Sequence, residues 1–127
     1  QAALHGGSEK DTGRFPLAVP AKIKELWQAR EFGPYADAGL KDVPACFLNT
    51  TNVTGGNSGS PTLNGKGELI GVLFDGTYES VASNFLFDKV KTRSIHVDSR
   101  YMLWNMTEVD GAANLLQEMG VAVPQKP

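Results

Sequence analysis

The sequence predicts a mainly β domain with flanking helices, one near the N-terminus and two near the C-terminus. Three observations predict it. Short apolar runs, Val43 to Leu48 and Glu68 to Phe74, are bounded by glycine, proline and asparagine. An Asn64-Gly65 pair stands between apolar segments, and left-handed φ values at such a pair match the twist of a hairpin. Apolar residues recur at helical spacing only after Pro20 and again after Asp98. At 127 residues the chain is one domain's worth of polypeptide, enough for a single core.

Taken in order, residues 1–14 are polar, carry Gly6, Gly7 and Gly13, and show no usable period, so they read as a loop or a severed connection. The opening Gln1-Ala-Ala without methionine reads as a processed or excised piece. His5 reads as a solvated histidine. Pro20 at a helix start, followed by Ile23, Leu26, Trp27 and Arg30, predicts an amphipathic helix that stops near Phe32-Gly33-Pro34. Tyr35 to Asp42 reads as a loop, and Val43 to Asn49 as a strand. Thr62-Leu63 and Leu69 to Phe74 read as a hairpin, and Phe85 to Phe87 and Arg93 to Val97 as short strands. Asp98 is placed to cap a helix carrying Tyr101, Met102, Leu103, Met106 and Val109. Asp110 is placed to cap a last helix that Gly120 ends, and Val121 to Pro127 reads as a tail.

Composition excludes several classes. Twelve basic and fourteen acidic residues leave no charge excess that would point to nucleic acid or an anionic membrane. No apolar run approaches the ~20 residues of a spanning helix. Cys46 is the only cysteine, so no internal disulfide can form, and its apolar surroundings suit an inert buried thiol. No cofactor or metal motif is present.

The stretch that carries chemistry is Thr54-Gly-Gly-Asn-Ser-Gly-Ser-Pro61. So much glycine admits φ values other residues resist and aims several N–H groups into one small space. If Ser58 attacks a carbonyl, the N–H groups of Gly56 and Ser58 sit where an oxyanion develops. The bland alternative is a glycine-rich surface turn between strands. A phosphate-cradling loop fails, because Ser60 stands five residues before Gly65-Lys66 and Gly67 follows the lysine. The α/β-hydrolase elbow fails too, since Ser60 replaces its second glycine and no helical run follows. Gly-x-Ser-Gly-x-Pro remains, the pattern of a chymotrypsin-like nucleophile loop between two strands. His96 lies in an alternating strand pattern, where its ring bonds a neighbour or faces solvent.

Joined together, Phe47-Leu-Asn-Thr-Thr-Asn-Val-Thr-Gly-Gly-Asn-Ser-Gly-Ser-Pro, Leu63-Asn-Gly-Lys-Gly-Glu-Leu-Ile-Gly, Phe74-Asp-Gly and Arg93-Ser-Ile-His-Val-Asp-Ser-Arg-Tyr-Met-Leu-Trp resemble the bacterial dipeptidyl-peptidase 7 and 11 family of serine exopeptidases. The resemblance runs from Glu9-Lys-Asp-Thr-Gly to Leu116-Gln-Glu-Met-Gly, nearly the whole chain. It implies that residues 15–127 are the C-terminal part of a chymotrypsin-like double β-barrel, with C-terminal helices at 98–120. It implies an enzyme of the Gram-negative periplasm or cell surface, often a homodimer, that needs no cofactor and releases dipeptides from peptide N-termini.

The family's nucleophile falls on Ser58, its oxyanion donors on the backbone of Gly56 and Ser58, and its loop asparagine on Asn57. Its aspartate for the substrate's α-amino group falls on Asp75. The position governing the pocket for the second substrate residue falls on Gly76, and glycine there accompanies bulky apolar preference. Thr77-Tyr78-Glu79 stands where the wider family often has Asn-Trp-Glu. The triad histidine and aspartate of the family lie far upstream of the serine loop, and nothing in this chain fits them. The chain therefore reads as the C-terminal piece of a longer peptidase, inactive alone and dependent on the rest of its parent. An isolated half of this kind is expected to self-associate through its uncovered apolar face. The alternative from another class is a noncatalytic β-barrel binding or assembly module with a vestigial serine loop.

Overall fold

The computed structural model describes residues 2–14 and 18–123. They form two compact units, one from Ala45 to Ser99, the other from Ala2 to Pro44 together with the residues from Arg100 onward.

The helical unit opens with a two-residue strand, β1 (Ala2–Ala3), and a short helix, α1 (Leu4–Glu9). The expected loop over 1–14 is thus corrected. Gly6 and Gly7 give this segment little intrinsic helicity, and tertiary contacts override it. The Leu4 N–H donates to the Val43 carbonyl (3.2 Å), the His5 N–H donates to Asp42 Oδ2 (2.9 Å), and Leu4 is buried. His5 stacks on Trp27 at 5.8 Å and pairs with Glu9 at 3.1 Å.

α2 (Ala21–Gln28) starts after Pro20, as its pattern predicts, and buries Leu26, but it stops short of Phe32. Arg30 takes φ +55°, so Glu31 N–H bonds the Leu26 carbonyl and Arg30 N–H the Trp27 carbonyl, a Schellman ending without glycine. A 3₁₀ turn follows at Gly33–Tyr35. α3 (Ser99–Trp104) runs on into a π-helical turn, Asn105–Val109, closed by the Asp110 N–H on the Asn105 carbonyl. Asp110 caps nothing: α4 (Ala113–Glu118) has Ala112 at its N-cap. α4 ends at Gly120 as expected, through Gly120 N–H to Gln117 O and Val121 N–H to Leu116 O. The expected tail at 121–127 lies partly outside the described residues. The core of this unit is Leu4, Leu26, Phe32, Tyr35, Val43 and Trp104, and the Trp104 indole N–H donates to the Glu31 carbonyl at 2.9 Å.

The other unit is built on four antiparallel strands in the order β2-β5-β4-β3: β2 (Pro44–Asn49), β3 (Pro61–Leu63), β4 (Leu69–Gly76) and β5 (Ser94–Asp98). The predicted hairpin joins β3 to β4, but its left-handed residue is Gly67 (φ +80°) rather than the Asn64-Gly65 pair, and the Gly67 N–H closes the turn on the Asn64 carbonyl at 3.0 Å. The expected strand at Phe85 to Phe87 does not form. A 3₁₀ segment, Tyr78–Asn84, leaves β4 instead, and both edges of β5 are already taken by β2 and β4.

One face of this sheet is polar where a core is usually apolar: Thr62, Ser94 and His96 are all buried beside Leu73. Phe47 stacks on the His96 ring, with centroids 5.2 Å apart and planes at 10°. Gly71 makes room for that stack, because a Cβ there would come within 2.7 Å of the Phe47 ring. Cys46 is free and half-buried in β2.

Candidate active site

The loop before β3 is held on both sides by its own backbone. The Asn57 N–H donates to the Thr54 carbonyl (3.2 Å), the Thr54 N–H to Asn57 Oδ1 (2.9 Å), and the Ser60 N–H to the Asn57 carbonyl (3.0 Å). Gly59 and Ser60 then exchange bonds with Leu73 at 2.8 and 3.0 Å, extending the β3–β4 ladder up to the residue after Ser58. Gly56 and Gly59 take φ of +94° and +90°, values that only glycine adopts without strain, and they bracket the serine in a tight double turn. Among the described residues, neither the Gly56 nor the Ser58 N–H is engaged in a hydrogen bond, and Ser58 is exposed with its hydroxyl unbonded.

β4 supplies the opposite wall, and a β-bulge decides what it shows. Leu73 pairs with His96, but Asp75, not Phe74, pairs with Ile95. Paired residues share a face of the sheet. An unbroken ladder would put Asp75 opposite Ser94, on the buried side. The extra residue, Phe74, moves Asp75 to the open side and leaves Gly76 opposite Ser94. Asp75 accepts from the Gly76 N–H through Oδ1 at 2.8 Å, leaving its second oxygen open to a ligand.

Ser58, Asp75 and Gly76 consequently line one cleft of about 240 Å³, together with Val53, Phe74 and Ser80. The structure does not bring every predicted residue there. Gly56 lies in the loop beside the cleft, and Asn57 lines a separate hollow with Thr62 and His96. Asn57 acts on the loop through its bond to Thr54. Sequence reasoning missed Ser80 in the cleft wall, because nothing in one dimension says that the chain leaving Gly76 turns back over it.

His96 stands apart from this cleft. Ser94 Oγ donates to the Asn49 carbonyl (3.3 Å), so it accepts from His96 Nε2–H (2.7 Å), and Thr62 Oγ1 donates to Nδ1 (2.5 Å). The imidazole is neutral and saturated, and burial pushes its pKa below the ordinary 6.5. It is a structural residue, bonded to its neighbours as its strand position predicts. Among the described residues, no group of three or more His, Cys, Asp or Glu side chains could hold a metal ion. No helix among them is long and apolar enough to cross a membrane.

The family model described as Peptidase S46 matches residues 1–121. The chain belongs to the peptidase S46 family. Its S46 relatives include the dipeptidyl-peptidase 7 of Phocaeicola vulgatus, 48% identical over 119 residues that cover 93% of this chain and 16% of that protein. The Asp/Glu-specific dipeptidyl-peptidase of Porphyromonas gingivalis is 41% identical over 122 residues, 95% of this chain and 17% of that protein. The crystal structure of Porphyromonas endodontalis DPP11 in complex with the dipeptide Arg-Asp superposes with a TM-score of 0.91 at 35% identity, over 95% of this chain and 17% of that one. The chain thus spans less than a fifth of the length of the relatives it matches. The four-stranded antiparallel sheet with its helices is the fold of the corresponding part of DPP11.

Proposed function

We propose that this chain supplies the nucleophile, the oxyanion donors and part of the specificity pocket of a serine dipeptidyl-peptidase that releases dipeptides from peptide N-termini. The observation that carries the reading is the convergence of Ser58, Asp75 and Gly76 on one cleft. Ser58 Oγ attacks the carbonyl of the second substrate residue, and the unengaged Gly56 and Ser58 N–H groups receive the oxyanion. The free oxygen of Asp75 holds the substrate's α-ammonium by a charge-assisted bond, which is how an exopeptidase counts from the chain end. Gly76, with Phe74 and Val53 nearby, leaves room for an apolar second side chain.

The proton acceptor comes from outside this chain. His96 cannot serve, being 2% exposed with both ring nitrogens bonded to hydroxyls. The resemblance supports a double β-barrel parent, dimeric and periplasmic or cell-surface, in which the sheet described above belongs to the second barrel.

The test is a Ser58→Ala substitution in the full-length enzyme. Wild type should hydrolyse Xaa-Leu reporter dipeptides and react with a fluorophosphonate probe at Ser58, and the variant should do neither. The chain alone should be no more active than its Ser58→Ala form. Unchanged turnover in the full-length variant would overturn the reading.

A further inference from the structure

Gly76 ends β4, and the chain turns at once into the 3₁₀ segment Tyr78–Asn84. A Cβ built on Gly76 would overlap Ser80 Oγ, whereas its next neighbours, Ser80 Cβ and the Arg93 carbonyl, lie at an ordinary 3.4 and 3.7 Å. A single hydroxyl therefore bars any side chain from position 76. That hydroxyl is not free to swing aside. Ser80 Oγ donates to the Thr77 carbonyl (2.6 Å), which also accepts the Ser80 N–H (2.8 Å). Thr77 is fastened in turn to the start of β5: its N–H donates to the Arg93 carbonyl (2.9 Å), and its Oγ1 accepts the Arg93 N–H (3.3 Å). Ser80 also lines the cleft that holds Ser58 and Asp75.

We propose that Ser80 is a specificity-determining residue of this cleft, coupled to Gly76: its hydroxyl sets the depth of the pocket for an apolar second residue and enforces glycine at 76. The proposal rests on the peptidase reading above and deepens it. Once Oγ has donated to Thr77, its lone pairs stay at the pocket wall. Shortening serine to alanine lengthens the pocket by one atom and removes the hydroxyl that a Cβ at 76 would overlap. The pair should then respond as a unit rather than as two independent positions.

The experiment uses the full-length enzyme carrying Gly76→Ala, Ser80→Ala, both changes, or Ser80→Thr. Each variant is assayed for kcat/KM on Xaa-Leu and Xaa-Phe reporters and for fluorophosphonate labelling of Ser58. Gly76→Ala alone should lower kcat/KM by about tenfold or more, the scale of direct coupling between touching residues. Adding Ser80→Ala should restore most of that loss, and Ser80→Ala by itself should raise the Phe-to-Leu ratio by about tenfold, the lower end of what one methylene is worth in an apolar pocket. Ser80→Thr, which keeps the hydroxyl, should not restore Gly76→Ala when the two are combined. Losses that simply multiply in the Gly76→Ala/Ser80→Ala variant, or an unchanged Phe-to-Leu ratio in Ser80→Ala, would overturn the proposal. If Gly76→Ala fails to fold, the ratio in Ser80→Ala still decides. Retained Ser58-dependent turnover alongside either negative result sinks only the role of Ser80. Turnover that survives Ser58→Ala sinks the peptidase reading as well.

Discussion

Thr62→Val tests the bond chain that closes the sheet next to the Ser58 loop. Thr62 Oγ1 gives its proton to His96 Nδ1, and His96 Nε2–H gives to Ser94, so every polar atom of the ring is used. Valine keeps the branched shape and deletes the donor, leaving Nδ1 unpaired in a residue 2% exposed. A buried acceptor stripped of its partner costs about 1–3 kcal/mol. Thr62→Ser keeps the donor and loses one methyl, about 0.8 kcal/mol. Urea denaturation followed by circular dichroism at about pH 7.5, where the imidazole is neutral, should separate the two variants in midpoint at equal slope.

The same experiment across pH checks the electrostatics. Burial lowers the folded pKa of His96 below its unfolded 6.5. The unfolded chain therefore takes up the proton first. Stability is whole above about pH 6.5 and drains away as pH falls through the folded value. His96→Gln, whose amide can accept from Thr62 and donate to Ser94, should flatten that limb. A Thr62→Val loss no larger than that of Thr62→Ser, or an undiminished acid slope in His96→Gln, would refute the bond chain as drawn.

In the full-length enzyme, Asp75→Asn keeps an acceptor for the Gly76 N–H but removes the charge, and should lower kcat/KM on dipeptidyl substrates by about 10- to 150-fold, the worth of a charge-assisted bond of about 1.5–3 kcal/mol. A change confined to severalfold would count against Asp75 as the ammonium anchor. Asp11 is held by the Lys24 ammonium and by the Gly13 and Val19 N–H groups, which lower its pKa from 3.8 to about 2. Its stabilisation is present above about 3.8 and fades as pH falls toward 2, so Asp11→Asn should weaken the protein at neutral pH and lessen its further loss in acid. NMR titration of the Asp11 carboxyl gives the check, and a midpoint near 3.8 would dismiss the pairing.

How far the site was legible in one dimension differs from residue to residue. Ser58 stood out because glycines at 55, 56 and 59 are a local cost that a plain turn does not need, and the structure places two of them at positive φ. Asp75 and Gly76 stand at a strand's end, where site residues often sit, but the roles proposed for them come from the family's order of motifs. What exposes Asp75 is the bulge at Phe74, and a bulge leaves no signature in an apolar run such as Leu69 to Phe74. Ser80 left no trace, since its part depends on a turn that folds it over Gly76.

Local rules carried the rest of the fold where local forces decide. The hairpin between β3 and β4, turned at Gly67 rather than at the Asn64-Gly65 pair, the start of α2 after Pro20 and the ending of α4 at Gly120 all follow from φ preferences and hydrogen bonds within a few residues. Those same rules failed at Leu4–Glu9, where Asp42 and Val43 organise a glycine-bearing helix from far along the chain, and at Phe85 to Phe87, where both edges of the following strand, β5, are taken by β2 and β4. The sequence by itself determined the elements whose energy is local, and the family to which the chain belongs. Tertiary structure alone decided which face Asp75 shows and that His96 is saturated rather than free, because each depends on partners brought together only when distant strands pair, and the space beside Gly76 is filled by a turn whose Thr77 is fastened to Arg93 at the start of β5.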